Sequence, residues 1–206
     1  MKLVEIHSNH PTPEQIEAIK DFCLLALAEN KHHSRANMEV DNWENKPESL
    51  LYLLLIEKRF AKETGGLSLL YSESKIIALS GYYKSDFNSE IFVIGVRSWV
   101  LKEHRFQLLI ANEILPEQIE QVNKHGGKTA IITFNESNKA FAKLIDRTNK
   151  NLNSKIKFFF GKNYPEIFRD VIVWPNPVRI KNVKQWIIIK HLRPSTFDWD
   201  SIAWNE

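Results

Sequence analysis

The sequence predicts one mixed α/β domain, in which a central sheet of parallel and antiparallel strands is flanked by helices. Helical periodicity dominates the first third of the chain. Three runs rich in β-branched and aromatic residues follow, and strands then alternate with helices. A length of 206 residues with 43% hydrophobic residues suits one large domain or two small ones. We expect a single domain over 1–206, with a helical part at 1–66 and a tail at 193–206.

Two helices are predicted before the first strand. Thr12-Pro13-Glu14-Gln15 is a capping-box pattern with proline at the first helical position, and apolar residues then recur on one face to about residue 29. A Leu-rich helix begins at Pro47 and ends at Gly65-Gly66, where glycine is typical of a C-cap.

After Gly66 the hydrophobic period becomes that of strands. The runs 67–71, 75–83 and 91–100 are joined by short polar turns, which predicts an antiparallel meander. A helical stretch from about Arg105 to Lys124 follows. Pro116 removes one backbone donor, so we expect a kink or a split there.

The last third of the chain alternates strands and helices. Lys128 to Phe134 is a compact strand, and a short helix follows Asn138; this strand–helix–strand order predicts a parallel pairing through a right-handed crossover. The further predicted strands are 155–160, 170–174 and 185–192.

Composition excludes several classes of function. A formal charge of +3 is far from the concentrated positive charge of nucleic-acid binders, so we expect no nucleic acid as partner. The longest apolar run, Leu50 to Ile56, is much shorter than the roughly 20 residues that span a bilayer, so we expect no membrane segment. The single Cys23 cannot form an intrachain disulfide, which favours a reducing, cytoplasmic setting. His32-His33 lacks the ligand spacing of a metal site, and we predict no metal.

The element order and three segments resemble the GNAT superfamily of acetyl-CoA-dependent N-acetyltransferases. VRSWVLKEHRFQLLIANEIL, from Val96 to Leu115, is similar to the family's fourth strand, cofactor loop and third helix. KTAIITFNESNKAFAKLI, from Lys128 to Ile145, is similar to the fifth strand and the start of the fourth helix, and QWIIIKHL resembles the closing strand. The resemblance covers over half of the chain and implies a GNAT-like fold.

This resemblance implies where acetyl-CoA or CoA binds. The pantetheine arm lies in the gap between the fourth and fifth strands, and the diphosphate lies on the N-terminus of the third helix. The implied cofactor-binding residues are Ser98, Trp99, Val100, Arg105, Phe106, Gln107, Leu108 and Asn138. For Arg105 the alternative is a solvated charge, and for Asn138 it is a helix cap.

The loop departs from the family pattern, in which an Arg or Gln precedes two glycines or small residues. Phe106, Leu108 and Ile110 stand where small residues are expected, and a left-handed conformation costs a residue with a Cβ roughly 1 to 2 kcal/mol. We expect either a weakened cofactor site or a shifted loop in which Lys102, His104 and Arg105 bind phosphate through side-chain charge.

The implied reaction is transfer of an acyl group to an amine. Glu90, Glu103 and His104 are the nearest candidates for the base that takes the amine proton, and we name Glu90 and His104 as catalytic. The family often places a Tyr acid on its fourth helix, but Ile145 stands there.

Three hypotheses about function remain open at this point. The chain is either an N-acyltransferase with an unknown small-molecule or peptide amine acceptor, or an inactive relative that serves as a binding or assembly module. A third hypothesis places an acyl carrier protein against Lys102 and Arg105. The aromatic tail either packs on its own domain or contacts a second subunit in a homodimer.

Overall fold

The computed structural model describes residues 1–7, 11–30, 65–135, 154–160, 184–202 and 204. Within these residues the two α-helices are α1 (Pro13–Asn30) and α2 (Leu115–Lys124). The seven strands are β1 (Lys2–His7), β2 (Gly66–Ser72), β3 (Lys75–Lys84), β4 (Ile91–Val100), β5 (Thr129–Asn135), β6 (Ser154–Phe160) and β7 (Lys184–His191). The predicted helix at 47–66, the helix after Asn138 and the strand at 170–174 lie outside the described residues. In the described segments, no helix combines the length and apolarity needed to span a membrane.

The strands are ordered β1-β2-β3-β4-β5-β7-β6 in one mixed sheet, which confirms the predicted fold class. The chain divides into two compact units. Unit 1 comprises 1–84 and 94–121, and unit 2 comprises 85–93 and 122–206. Each unit has its own segment of the sheet, and β4 contributes residues to both.

Unit 1 contains β1, β2, β3 and most of β4. The predicted antiparallel pairing of β2 with β3 is confirmed, with Ser68 opposite Ser80. β1 was not predicted by the sequence analysis: it pairs antiparallel with β2, Lys2 opposite Tyr71. A core cluster of unit 1 consists of the buried residues Leu70, Ile77, Ala78, Leu109 and Ile114.

Helix α1 begins as its sequence predicts. The backbone N–H of Thr12 donates to Gln15 Oε1 at 2.8 Å, and the N–H of Gln15 donates to Thr12 Oγ1 at 3.3 Å. This reciprocal pair is a capping box, which satisfies two donors that a helix start otherwise leaves unpaired. The buried face of α1 carries Ile19, Phe22, Cys23 and Ala26.

The helical stretch after β4 has three parts in place of one continuous helix. A 3-10 helix covers Lys102–Gln107, a π-helical turn covers Ile110–Ile114, and α2 follows from Leu115. Pro116 lies in the first turn of α2, where its missing N–H costs little, and the predicted interruption falls directly before it. Helix α2 ends at Lys124, and Gly126 has a φ of 74°, a conformation that glycine adopts without strain.

Unit 2 contains the first residues of β4 together with β5, β7 and β6. β4 and β5 are parallel, with Ile91 opposite Thr129. The predicted parallel pairing of β5 with the strand after the next helix is wrong, because β7 lies between β5 and β6 in the sheet. β7 pairs antiparallel with both β5 and β6. Fully buried residues of this sheet segment include Ile131, Ile187, Ile189 and Phe159.

The C-terminal tail packs on unit 2. Trp199 is buried and contacts the rings of Phe197 and His191, and Phe197 in turn contacts Phe87 edge to face, with centroids 5.9 Å apart. Lys155 Nζ donates to both carboxylate oxygens of Asp200. The expectation that the tail docks on its own domain agrees with these contacts.

Candidate functional site

The end of β4 runs into the loop that the sequence analysis singled out. The N–H of Leu101 donates to the carbonyl of Ile77 on β3 at 3.0 Å, and the 3-10 helix begins at the next residue. The site residues Ser98, Trp99 and Val100 are therefore the last three residues of β4, and Arg105, Phe106 and Gln107 are the last three of the 3-10 helix. All of them lie in unit 1.

Leu108 has a left-handed backbone, with φ 52° and ψ 35°. Its carbonyl accepts hydrogen bonds from the N–H groups of Ala111 and Asn112, each at 3.0 Å. The next residue, Leu109, is 2% exposed in the core of unit 1, whereas the Leu108 side chain is 45% exposed. The loop thus takes the backbone conformation of a glycine at this position, although the residue is leucine, at a cost of roughly 1 to 2 kcal/mol.

Glu29, at the end of α1, binds the start of this loop. The N–H of Lys102 lies 3.0 Å from each of its carboxylate oxygens, and Arg105 Nη2 donates to Glu29 Oε2 at 2.9 Å. Sequence reasoning missed this residue because Glu29 and Arg105 are 76 positions apart. A side-chain carboxylate therefore binds the Arg105 guanidinium, which was predicted to bind phosphate.

Arg105 is also tied to the end of β4. Its Nε donates to the carbonyl of Val100 at 2.9 Å, and its guanidinium lies 5.6 Å from the ring centre of Trp99. These contacts leave the side chain 35% exposed, so its charge is ion-paired and partly solvated. Arg105 as a phosphate ligand stays a prediction, and a ligand there must compete with Glu29.

Two buried ring nitrogens at this end of β4 have no hydrogen-bond partner among the described residues. They are Trp99 Nε1 and His104 Nδ1. The other ring nitrogen of His104 lies 3.4 Å from Glu103 Oε1. Each unpaired buried polar group of this kind costs about 1 to 3 kcal/mol.

A buried polar network contacts the middle of β4. Gly95 has a φ of 69°, and its N–H donates to Gln118 Oε1 at 2.8 Å. Gln118 Nε2 donates to Ser68 Oγ at 3.0 Å, while Ser98 Oγ donates to the carbonyl of Gly95 and contacts Ser80 Oγ, both at 2.8 Å. The sequence analysis placed Ser98 in the cofactor site but missed Gly95 and Gln118. Two signals were present: a glycine inside a strand, and a polar residue in the apolar stripe of α2.

Glu90 lies at the other end of β4, in unit 2. Its Oε1 accepts a short hydrogen bond from Lys128 Nζ, and its Oε2 accepts from Ser195 Oγ at 2.8 Å and from the N–H of Thr196 at 3.3 Å. Hydrogen bonds from Lys128 and Ser195 lower the pKa of Glu90. These contacts hold the tail, and a lowered pKa makes the carboxylate a weaker proton acceptor. A catalytic role for Glu90 remains a prediction without support from this arrangement.

The remaining predicted site residues are placed as follows. Gln107 is exposed, and its carbonyl lies 3.4 Å from Asn112 Nδ2. Phe106 is the fifth residue of the 3-10 helix. Asn138 and Ile145 lie outside the described residues. Among the residues that are described, no cluster of His, Cys, Asp and Glu could hold a metal ion.

Solved structures of acetyltransferases share this architecture. A GNAT-family acetyltransferase of Staphylococcus aureus Mu50 matches 93% of this chain and 100% of its own length, with a TM-score of 0.57 and 14% identity. A GNAT-family acetyltransferase of Streptococcus pneumoniae matches 93% and 100%, with a TM-score of 0.56 and 12% identity. The chain has the GNAT fold. An aminoglycoside 6'-N-acetyltransferase of Enterococcus faecium also shares the GNAT fold, with a TM-score of 0.56, 11% identity and coverage of 96% and 100%.

No family model and no curated protein sequence matches the chain. At 11–14% identity the structural likeness establishes the GNAT fold, and the activity has to be argued from this chain's own residues.

Proposed function

We propose that this protein is an N-acyltransferase, which uses acetyl-CoA or another acyl-CoA to acylate an amine. The cofactor binds along the end of β4 and the loop after it, where the sequence resemblance and the GNAT fold coincide. The acceptor is a small molecule or a peptide that carries a free amine. The amine nitrogen attacks the thioester carbon, the C–S bond breaks, and the amine loses a proton while the thiolate of CoA leaves.

Leu108 is the observation that carries this proposal. Its left-handed backbone gives the loop the path that a glycine provides in the family pattern. The exposed leucine side chain gains little burial in return, so the surrounding structure imposes the strain. Residues held in strained conformations cluster at ligand-binding sites, and this one lies directly before a helical turn suited to a diphosphate.

His104 is the better of the two candidate bases. Its Nδ1 is buried and has no partner within the described part of the chain, whereas both carboxylate oxygens of Glu90 are engaged. An imidazole nitrogen can accept a proton from an amine. His104→Gln should therefore lower kcat more than it weakens CoA binding.

Calorimetric titration with acetyl-CoA and with CoA tests the proposal. We expect binding at or below millimolar ligand, and release of free CoA thiol when a panel of amines is added. Leu108→Gly should bind CoA at least as tightly as the wild type, since the substitution removes strain without changing the backbone path. Leu24→Gly, which alters another exposed leucine in α1, is the matched control. Absence of heat at millimolar CoA in both the wild type and Leu108→Gly would contradict the proposal.

The second candidate function is a binding or assembly module without catalysis. The contacts of Glu29 favour it, because this carboxylate already occupies the Lys102 N–H and the Arg105 guanidinium. In that case Glu29→Gln, which frees Arg105, would not produce CoA binding either. In an acyltransferase the same substitution should tighten CoA binding, while Glu17→Gln on the exposed side of α1 should leave it unchanged.

A further inference from the structure

We infer that Gln118 is a positioning residue for the cofactor-binding part of β4. It holds the backbone at Gly95 and so directs Val96–Val100, the segment assigned to acyl-CoA. The inference rests on the proposed function for its ligand, but the hold of Gln118 on Gly95 can be measured without any ligand.

Both the oxygen and the nitrogen of the Gln118 side-chain amide form hydrogen bonds. The residue is 0% exposed, its Oε1 accepts from the N–H of Gly95 at 2.8 Å, and its Nε2 donates to Ser68 Oγ at 3.0 Å. Ser68 lies on β2 and Gly95 on β4, so one side chain of α2 spans two strands of unit 1. A buried amide is tolerated when its donors and acceptors are paired, and each of the two ends has a partner here.

The backbone at Gly95 takes a conformation that a regular strand does not have. Its φ of 69° lies in the left-handed region, where a residue with a Cβ is strained. A glycine in this conformation inside a strand is typical of a bulge, which redirects the strand and the side chains after it. The N–H of Gly95 is bonded to Gln118, and its carbonyl accepts from Ser98 Oγ at 2.8 Å. Side chains therefore hold both polar groups of this residue.

The network has one geometry because its members bind each other. Ser98 Oγ lies 2.8 Å from Ser80 Oγ, and Ser80 stands opposite Ser68, the partner of Gln118. Breaking one bond in such a buried network leaves a donor or acceptor without a partner, so the arrangement favours a single backbone path. Through Gln118, helix α2 thus sets the direction of β4 after Gly95. The positions of Ser98, Trp99 and Val100 depend on that direction.

The experiment compares Gln118→Met with Ser68→Ala. Methionine has the length of glutamine but can form neither hydrogen bond. Ser68→Ala removes the distal bond and leaves the one to Gly95. We expect the Gly95 amide to exchange with deuterium at least about tenfold faster in Gln118→Met and less than about threefold faster in Ser68→Ala. CoA affinity should fall at least about tenfold in Gln118→Met and stay within about threefold in Ser68→Ala.

A purely structural role for Gln118 would lower the stability of both variants and leave CoA affinity unchanged in both, which would overturn the inference. Equal exchange of the Gly95 amide in the wild type and Gln118→Met would also overturn it. If the wild type binds no CoA, the proposed function fails, and the exchange comparison alone decides whether Gln118 holds Gly95. Should Gln118→Met fail to fold, Gly95→Ala makes the same test of CoA affinity with Gln118 intact, and unchanged affinity would count against the inference.

Discussion

The two ends of β4 differ in how their polar groups are used. At the start, Glu90 binds Lys128, Ser195 and Thr196, and these contacts attach the tail to unit 2. At the end, Glu29 and the Val100 carbonyl hold Arg105, but Trp99 Nε1 and His104 Nδ1 are buried without partners among the described residues.

An unpaired buried nitrogen does not by itself distinguish the two ends, because Trp199 Nε1 in the anchored tail also lacks a partner among the described residues. A cluster in which the carboxylate is fully engaged can stabilise the fold but has nothing left to offer a ligand. The end of β4 combines two buried, unpaired nitrogens with the strained Leu108. Glu90 and His104 are the catalytic candidates predicted from the sequence, one near each end of β4, and no local sequence pattern distinguishes their surroundings.

The largest expected effect is at the anchored end. Trp199 is 4% exposed and contacts Phe197 and His191, so Trp199→Ala should lower the free energy of unfolding by about 3 to 5 kcal/mol. Urea unfolding followed by circular dichroism measures it. Phe87→Ala removes a ring that is 49% exposed and contacts the same cluster, and should cost no more than about 1.5 kcal/mol. Similar losses in the two variants would mean that the tail is not anchored through Trp199.

The next effect is at the end of β4 where we propose that the cofactor binds. Leu108→Gly should raise the free energy of unfolding by about 0.5 to 1 kcal/mol, because relief of the left-handed strain exceeds the added entropy of glycine in the unfolded chain. Leu24→Gly, in the helix α1, should instead lower it by about 1 kcal/mol. Loss of stability in both variants would show that Leu108 is not strained.

Acid titration measures the contribution of the Glu90 carboxylate to stability. Since the folded-state pKa of Glu90 is lowered below 4.5, its stabilising contribution is present above that pH and is lost as the pH falls through the lowered pKa. Glu90→Gln should lack this part of the acid dependence. Unfolding curves between neutral pH and about pH 3 check it, with Glu17→Gln as the exposed control. Identical acid profiles for Glu90→Gln and the wild type would rule out this contribution.

The smallest effect concerns the attachment of α1 to the loop. The carboxylate of Glu29 and the guanidinium of Arg105 are 23% and 35% exposed, so Glu29→Gln should cost no more than about 1 kcal/mol. The reactivity of Cys23, on the same helix, measures how firmly α1 is held. Burial raises the pKa of the Cys23 thiol to about 12, so this thiol should react slowly in the native protein. Thiol labelling should accelerate by at most about fivefold in Glu29→Gln. A much larger acceleration would mean that this ion pair holds α1 in place.

Local patterns were predicted correctly from the sequence. The capping box at Thr12 and Gln15 depends on four neighbouring residues, and the strand runs from Leu67 to Val100 depend on a local enrichment in β-branched and aromatic residues. β1 was missed because its apolar residues are few and its partner, β2, begins almost sixty positions later.

The site was harder to predict because its contacts are distant in sequence. Gln118 lies 23 positions from Gly95 and 50 from Ser68, and Glu29 lies 73 positions from Lys102. Leu108 was expected to resist the left-handed region, but burial of Leu109 in the core and two amide bonds to the Leu108 carbonyl outweigh the local preference. Tertiary packing decided both features, and no local pattern carries that information.

The π-helical turn before α2 is a place where the chain can gain or lose one residue. The N–H of Leu115 bonds to the carbonyl of Ile110, five positions back, so this turn contains one residue more than an α-helical turn. Removing Ala111 should convert it to an α-helical turn while the residues from Leu115 onward keep their facing. Insertions and deletions of a single residue can therefore be absorbed at this point without rotating Gln118 away from Gly95.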